Sequence, residues 1–232
     1  MKKLIILICL IVFVFSIYQI SKYVIETVKT NNIYEGIADI YYGSINNGAE
    51  VEDYIEGIRE INPQFRGWIA IPDTKIDYPI VKGQDNEYYL THDIEGNENK
   101  HGAIFMDYRN DLTRDRNICL HGHHMKDGTM FRDLVKFKEK DFFHNNKSIL
   151  LDIDGKRQEY HVFSVYISQA NSLDIKLSFD DAEEYRDYFN RIKSKSLFSS
   201  EIDFSEDRSM LTLSTCTYEY DDGRLVVHAL SY

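Results

Sequence analysis

The sequence is poor in cysteine and proline and has no excess of positive charge, and each shortage removes a class of protein. Three cysteines in 232 residues are too few for a disulfide framework. Cys9 lies in an apolar run, which leaves Cys119 and Cys216 either bridged to each other or kept as thiols for chemistry. Three prolines beside 17 tyrosines and 13 phenylalanines argue against a disordered stalk and for a β-rich body. Lysine and arginine number 27 against 38 aspartates and glutamates, a net charge of −11. That balance excludes nucleic acid as a partner and excludes a polybasic hold on anionic lipid. No internal repeat, low-complexity tract, Cys-x-x-Cys pair or His-Glu-x-x-His helix occurs, so neither a metal nor any other cofactor is expected.

One long hydrophobic run is present. Residues 4–20, LIILICLIVFVFSIYQI, carry no charge and follow Lys2 and Lys3. As a helix this run spans about 26 Å, enough to cross a bilayer core. No small-x-small cleavage site follows, so an uncleaved signal-anchor is expected, with the lysines inside. On this reading residues 1–3 are a cytoplasmic tail and 4–20 a single transmembrane segment in the cell membrane. Residues 21–61 are an extracellular helical stem and packing helix, and 62–232 an extracellular β-rich domain.

Within the stem region, Val51, Tyr54, Ile55, Ile58 and Ile61 form one apolar stripe at helical spacing, which must pack on another surface. Asn46-Asn47-Gly48 separates this helix from an earlier one leading out of the membrane. After Asn62-Pro63 the period becomes that of strands, over 67–71, 76–81, 103–107, 117–121, 148–154, 158–168, 210–216 and 224–230. Eight short strands imply a mainly β fold, closed as a barrel or stacked as a sandwich. Asp154-Gly155 is a two-residue hairpin signal. One clear helix interrupts the series, with Asp180 as N-cap, Glu183 three residues on, and Ala182, Tyr185, Phe189 and Ile192 as its apolar face. A shorter helix is expected over 129–137.

Chemistry concentrates in two places. Cys216 ends one β-rich run and Arg224 opens the next, with Asp221-Asp222-Gly223 before the arginine, so the two fold most simply as a hairpin. Neighbouring strands lie about 4.8 Å apart, close enough for a guanidinium to lower a thiol pKa and to stabilise a tetrahedral oxyanion. The second place is Cys119-Leu120-His121-Gly122-His123-His124, where a buried strand opens into a loop and offers a proton shuttle. Three readings stand side by side. One is a cysteine acyl-transfer enzyme. Another is a caspase-like cysteine protease using His121 and Cys216, although Gln-Ala-Cys is absent and the separation far exceeds the usual ~50 residues. The third is a non-catalytic zinc-binding surface module built on Cys119 and the histidines.

Taken in order, the residues resemble a sortase of class B, a cysteine transpeptidase that joins proteins to Gram-positive cell walls. The resemblance runs through Asn62-Pro63 with Gly67-Trp68-Ile69, Asp77-Tyr78-Pro79-Ile80-Val81, and Asp85-Asn86-Glu87-Tyr88-Tyr89-Leu90. It continues through Gly102-Ala103-Ile104-Phe105-Met106-Asp107-Tyr108-Arg109 and His121-Gly122-His123-His124, and ends with Thr212-Leu213-Ser214-Thr215-Cys216 and Arg224. It implies an eight-stranded sortase-type β-barrel over 62–232, with two N-terminal helices and a helix inserted before the Cys-bearing strand. It also implies Cys216 as nucleophile, His123, which directly follows the glycine, as general acid and base, and Arg224 as oxyanion and substrate clamp. Ser214 and Asn86 would line the substrate groove. The implied partners are surface proteins bearing a C-terminal Pro-x-Thr sorting motif, cleaved after Thr to a thioester on Cys216, and a peptidoglycan precursor amine that accepts the acyl group.

Overall fold

Period-two alternation gives every strand one face for an interior, and in the computed structural model those faces meet around a single barrel. Residues 2–48, 50–216 and 222–232 are described. The strands are β1 (Phe65–Ala70), β2 (Asp77–Val81), β3 (Ile104–Met106), β4 (Asn117–His121), β5 (Ser148–Ile153), β6 (Lys156–Gln169), β7 (Met210–Cys216) and β8 (Gly223–Ser231). They pair in the order β1-β2-β3-β4-β7-β8-β6-β5, and β5 pairs back to β1, so the expected strands close as a barrel and not as a sandwich. Closure removes the open edges that a flat sheet would expose. The pairs β2/β3 and β4/β7 are parallel. Ile69, Ile80, Leu120, Leu211, Leu213, Leu225 and Val227 fill the interior and are fully buried. The turn joining β5 to β6 is Asp154-Gly155, as the dipeptide indicates, and both residues have positive φ.

Helix α1 (Lys2–Asn46) runs without a break from the apolar run into the body of the protein. Its residues 4–20 are exposed on all sides apart from their own helix, and it is the one described helix long and apolar enough to cross a membrane. Further along, Thr30, Tyr34, Ile37 and Tyr41 are buried. Their spacing of i, i+4, i+7 and i+11 is one helical face. Against it pack β2 and α2 (Val51–Ile61), whose Tyr54, Ile55 and Ile58 point inward. Ile61, expected to extend that stripe, ends at the surface. Tyr41 stacks flat on Trp68 at 4.4 Å. The hydroxyls of Tyr41 and Tyr54 donate to the same buried carboxylate oxygen of Asp152, at 3.2 and 2.7 Å.

Two short helices, α3 (Tyr88–Thr91) and α4 (Lys140–Asn145), sit in connections. The expected helix over 129–137 is instead a 3-10 helix, Phe131–Lys138, entered through Met130 at a positive φ of 56°. Helix α5 (Ala182–Lys195) is capped by Asp181 and not Asp180: the Asp181 carboxylate accepts from the Glu184 amide at 2.8 Å. The Glu184 carboxylate reaches back to the Asp180 amide. Tyr185, Tyr188, Phe189 and Ile192 of α5 meet Phe163, Tyr166, Met210 and Val226 in a second core on the outer face of β6, β7 and β8.

Candidate active site

Parallel pairing of β4 with β7 sets His121 opposite Ser214. Three bonds then carry the chain after His121 along the rest of β7. The Gly122 amide donates to the Ser214 carbonyl at 3.3 Å, and the Thr215 hydroxyl donates to the Gly122 carbonyl at 2.7 Å. His124 Nδ1 donates to the Cys216 carbonyl at 3.1 Å. Gly122 is required by packing: a Cβ there would meet Ile104 at 2.4 Å and Phe131 at 2.9 Å. The histidine-rich segment is therefore stitched to the end of the strand that carries Cys216.

On the other side of β7, antiparallel pairing sets Cys216 directly opposite Arg224, whose next neighbour across β8 is Ser168 of β6. Leu211, Leu213, Leu225 and Val227 face the interior. By alternation, Ser214, Cys216 and Arg224 share the outer face of the sheet. Cys216 is a half-buried free thiol and Ser214 lies buried one row below it. Strand pairing and the three bonds between 122–124 and β7 place the backbone of residues 123, 216 and 224 at the same end of β7. Residues 217–221 of the connecting segment lie outside those described.

The three histidines diverge. His123 is half-buried and its Nε2 donates to the Leu90 carbonyl at 2.6 Å. A carbonyl only accepts, so the proton is on Nε2 and the lone pair of the neutral ring is on Nδ1. Behind this pair stands Gly102, at a positive φ of 61°, where a Cβ would meet the Tyr89 carbonyl at 2.4 Å and approach both Leu90 and the His123 ring. The Gly102 carbonyl in turn accepts from the buried Tyr34 hydroxyl of α1 at 2.9 Å. His124 is nearly buried, and burial pushes its pKa down. His121 instead turns to Asp107 and Cys119: its Nε2 lies 3.1 Å from Asp107 Oδ2 and 3.5 Å from Cys119 Sγ.

Sequence reasoning named Cys119 and His121 together but missed Asp107. Asp107 is fully buried and gripped by Arg109, which donates from Nε at 2.9 Å and from Nη2 at 2.8 Å. Burial opposes its charge, but the guanidinium and His121 outweigh it and hold the carboxyl well below the usual carboxylate range. Burial likewise works against charge on His121, and Cys119 and Asp107 outweigh it, pushing that pKa up. The Asp-x-Arg spacing before β4 was the available signal. Asn86 is found at the turn before α3, where its side-chain oxygen accepts from the Tyr108 amide at 3.0 Å and ties that turn to the loop after β3. A bridge between Cys119 and Cys216 does not form. Cys119 faces Thr212, four residues before Cys216 on β7, about 13 Å along the strand, beyond disulfide reach.

Residues 69–231 match the Sortase domain family. The chain belongs to the sortases, class B. It is 34% identical over 227 residues to Sortase B of Listeria monocytogenes, covering 95% of this chain and 92% of that protein. With Sortase B of Staphylococcus aureus it shares 31% over 228 residues, covering 97% and 93%. Among solved structures, a mutant form of Clostridium perfringens sortase B superposes with a TM-score of 0.83 at 34% identity, over 87% of this chain and 98% of that one. A Staphylococcus aureus sortase B–substrate complex superposes with a TM-score of 0.82 at 29% identity, over 90% and 98%. This sortase is thus a cysteine transpeptidase acting by acyl transfer through a Cys thioester. The closed barrel and the family membership set aside the caspase-like reading with His121. The divergence of the histidines removes the cluster that the zinc-module reading would have assembled from all of them.

Proposed function

We propose that Cys216, His123 and Arg224 carry the reaction of this sortase. The observation that supports the assignment is the row Cys216–Arg224 with the 122–124 segment bonded alongside it. Cys216 thiolate attacks the carbonyl of the threonine in a Pro-x-Thr sorting motif, and Arg224 stabilises the oxyanion. His123 protonates the departing amine, leaving a thioester on Cys216. An amine of a peptidoglycan precursor then attacks the thioester, His123 takes its proton, and the new amide releases the thiol. The Leu90 carbonyl supports this role by fixing the tautomer, so that Nδ1 is the atom that gains and loses the proton. Ser214, one row below the thiol, and Asn86, at the turn before Leu90, line the path of the sorting peptide.

Residues 4–20 anchor the enzyme as a single pass with residues 1–3 inside the cell, 21–61 outside, and 62–232 as the catalytic domain. Contacts of the helix support a short tether: the Tyr23 and Thr27 hydroxyls reach Asp127, and Lys100 pairs with Glu26 at 2.6 Å. The barrel is therefore held against the helix almost from where the apolar run ends, close to the membrane surface.

The test is mass spectrometry of the full chain in detergent after incubation with a set of Pro-x-Thr peptides. The expected result is an acyl adduct ending in threonine on Cys216, absent from Cys216→Ala. His123→Ala and Arg224→Ala should each lose on the order of 10²–10³-fold in rate. Arg224→Lys should restore little, because the point charge lacks the planar fork. An adduct on Cys119, or undiminished turnover in Cys216→Ala, would overturn the assignment.

A further inference from the structure

Below the catalytic row, three ligand types from β4 and from the residue that follows β3 converge on one point. The Sγ of Cys119, the Nε2 of His121 and a carboxylate oxygen of Asp107 all lie within 4.8 Å of one another. Cys119 and Asp107 are fully buried, and the His121 side chain is 19% exposed. The meeting is a product of register. Cys119 and His121 alternate onto the same face of β4, and the bond from the Asp107 amide to the Cys119 carbonyl, 2.9 Å, brings the end of β3 alongside.

The three groups are crowded round a single nitrogen. One nitrogen, Nε2, faces both the sulfur at 3.5 Å and the oxygen at 3.1 Å, and it has a single proton or a single lone pair to offer. A metal ion at the centre would serve all three atoms together. Tetrahedral coordination with Zn–S near 2.3 Å and Zn–N and Zn–O near 2.0–2.2 Å sets ligand atoms about 3.3–3.6 Å apart. The observed sulfur-to-nitrogen separation is at that value, and the nitrogen-to-oxygen separation is short of it by only a few tenths of an ångström. The outer shell is also present. Arg109 holds both oxygens of Asp107, and its own amide donates to Oδ1 at 3.0 Å, so the carboxylate is oriented before any ion arrives.

We propose that Asp107, Cys119 and His121 form a binding site for a borderline-soft divalent cation of the zinc class, with the fourth position open on the exposed edge of His121. Thiolate, imidazole and carboxylate together favour zinc over magnesium or calcium, which take oxygen ligands. The site is distinct from the catalytic row: His121 stands opposite Ser214, one row below Cys216, and Cys119 one row further. Its existence does not depend on the catalytic roles assigned above.

Cobalt(II) chloride, a spectroscopic stand-in for zinc, tests the site on the full chain in detergent in a Cys216→Ser background, which removes the other thiol outside the apolar run. The expected result is one equivalent bound, with a thiolate-to-cobalt charge-transfer band in the near ultraviolet that zinc displaces. Cys119→Ser should abolish the band, and Asp107→Asn should weaken cobalt affinity by ~10–100-fold. Should either of those variants fail to fold by circular dichroism, His121→Ala is titrated in its place and should bind no stoichiometric cobalt. Absence of the band from the Cys216→Ser protein, or its survival in Cys119→Ser or His121→Ala, would overturn the proposal. Loss of the acyl adduct on Cys216 would instead bear on the catalytic assignment alone.

Discussion

Tyr34 shows how far from the thiol a single residue can act. Its hydroxyl donates to the Gly102 carbonyl inside the protein, and Gly102 packs against the Leu90 carbonyl and the His123 ring. Tyr34→Phe leaves that carbonyl buried and unpaired, which costs about 1–3 kcal/mol. Urea unfolding should show the loss as a lower midpoint with an unchanged slope. Peptide turnover by the same variant should fall in kcat more than it rises in KM, since the ring's orientation and not the groove is disturbed. An unchanged urea midpoint would mean that the carbonyl finds water. Of this chain of contacts the sequence displayed only the last link. The glycine that breaks an apolar strand marked His123 and His124 alike, and only the resemblance to the family chose between them; Cys216 and Arg224 stood out because they end and open neighbouring β-rich runs. Leu90, Gly102 and Tyr34 act through backbone carbonyls and a hydroxyl from three separate segments, and no spacing along the chain reports such a meeting. Asp107 escaped notice for a related reason: it joins Cys119 and His121 only through the pairing of β3 with β4.

At the scale of elements, the strands were read correctly because β-rich runs bounded by turn residues survive in the sequence, even in β3, β7 and β8, which are buried on both faces. Helix ends are set by single hydrogen bonds, and there the reading slipped by one residue. Asp180-Asp181 and Glu183-Glu184 offer two equivalent capping pairs in sequence, and packing of Tyr185, Tyr188, Phe189 and Ile192 decides between them by fixing the helix phase. The choice has a measurable consequence. Asp181→Ala removes the acceptor for the Glu184 amide and should cost about 0.5–2 kcal/mol. Asp180→Ala leaves that bond in place and should cost only a few tenths of that. Thermal unfolding of the two variants side by side checks the assignment, and equal effects would contradict it. The 3-10 helix at Phe131–Lys138 was mistaken for an α-helix because the apolar residues Phe131, Leu134 and Phe137 recur every third position. That spacing is compatible with both helix types over a single short segment, but is the natural period of the tighter one.

Among the buried titratable groups of the barrel, His228 has its protonation state decided by its neighbours. His228 is fully buried on the outer face of β8, under α5. The Thr212 hydroxyl gives its proton to Asn117 Oδ1 at 2.9 Å and so accepts from His228 Nδ1 at 2.9 Å; the Tyr166 hydroxyl lies 3.2 Å from Nε2 and donates to it. That pattern specifies the neutral ring. Burial, reinforced by Lys195 on α5, pushes the pKa down to about 3, against about 6.5 in an unfolded chain. A depressed histidine pKa means that between these two values the unfolded state binds a proton that the folded state refuses. The associated stability is fully present above about pH 6.5 and is lost as pH falls toward 3, with a slope approaching ~1.4 kcal/mol per pH unit. Asp127 is another side chain whose acid dependence belongs in the comparison. Burial raises its pKa, but the Thr129 hydroxyl and His101 outweigh this and bring it to about 2, so its stabilisation fades at lower pH, between roughly 4 and 2. Urea unfolding of His228→Gln and the parent at pH 7, 6, 5 and 4 separates the two. The variant is expected to be less stable at pH 7, because its amide cannot reproduce both ring bonds, yet to lose less stability than the parent between pH 6 and 4. Parallel curves through that interval would show that His228 takes up its proton in the folded barrel, and that the buried network accommodates a charged ring.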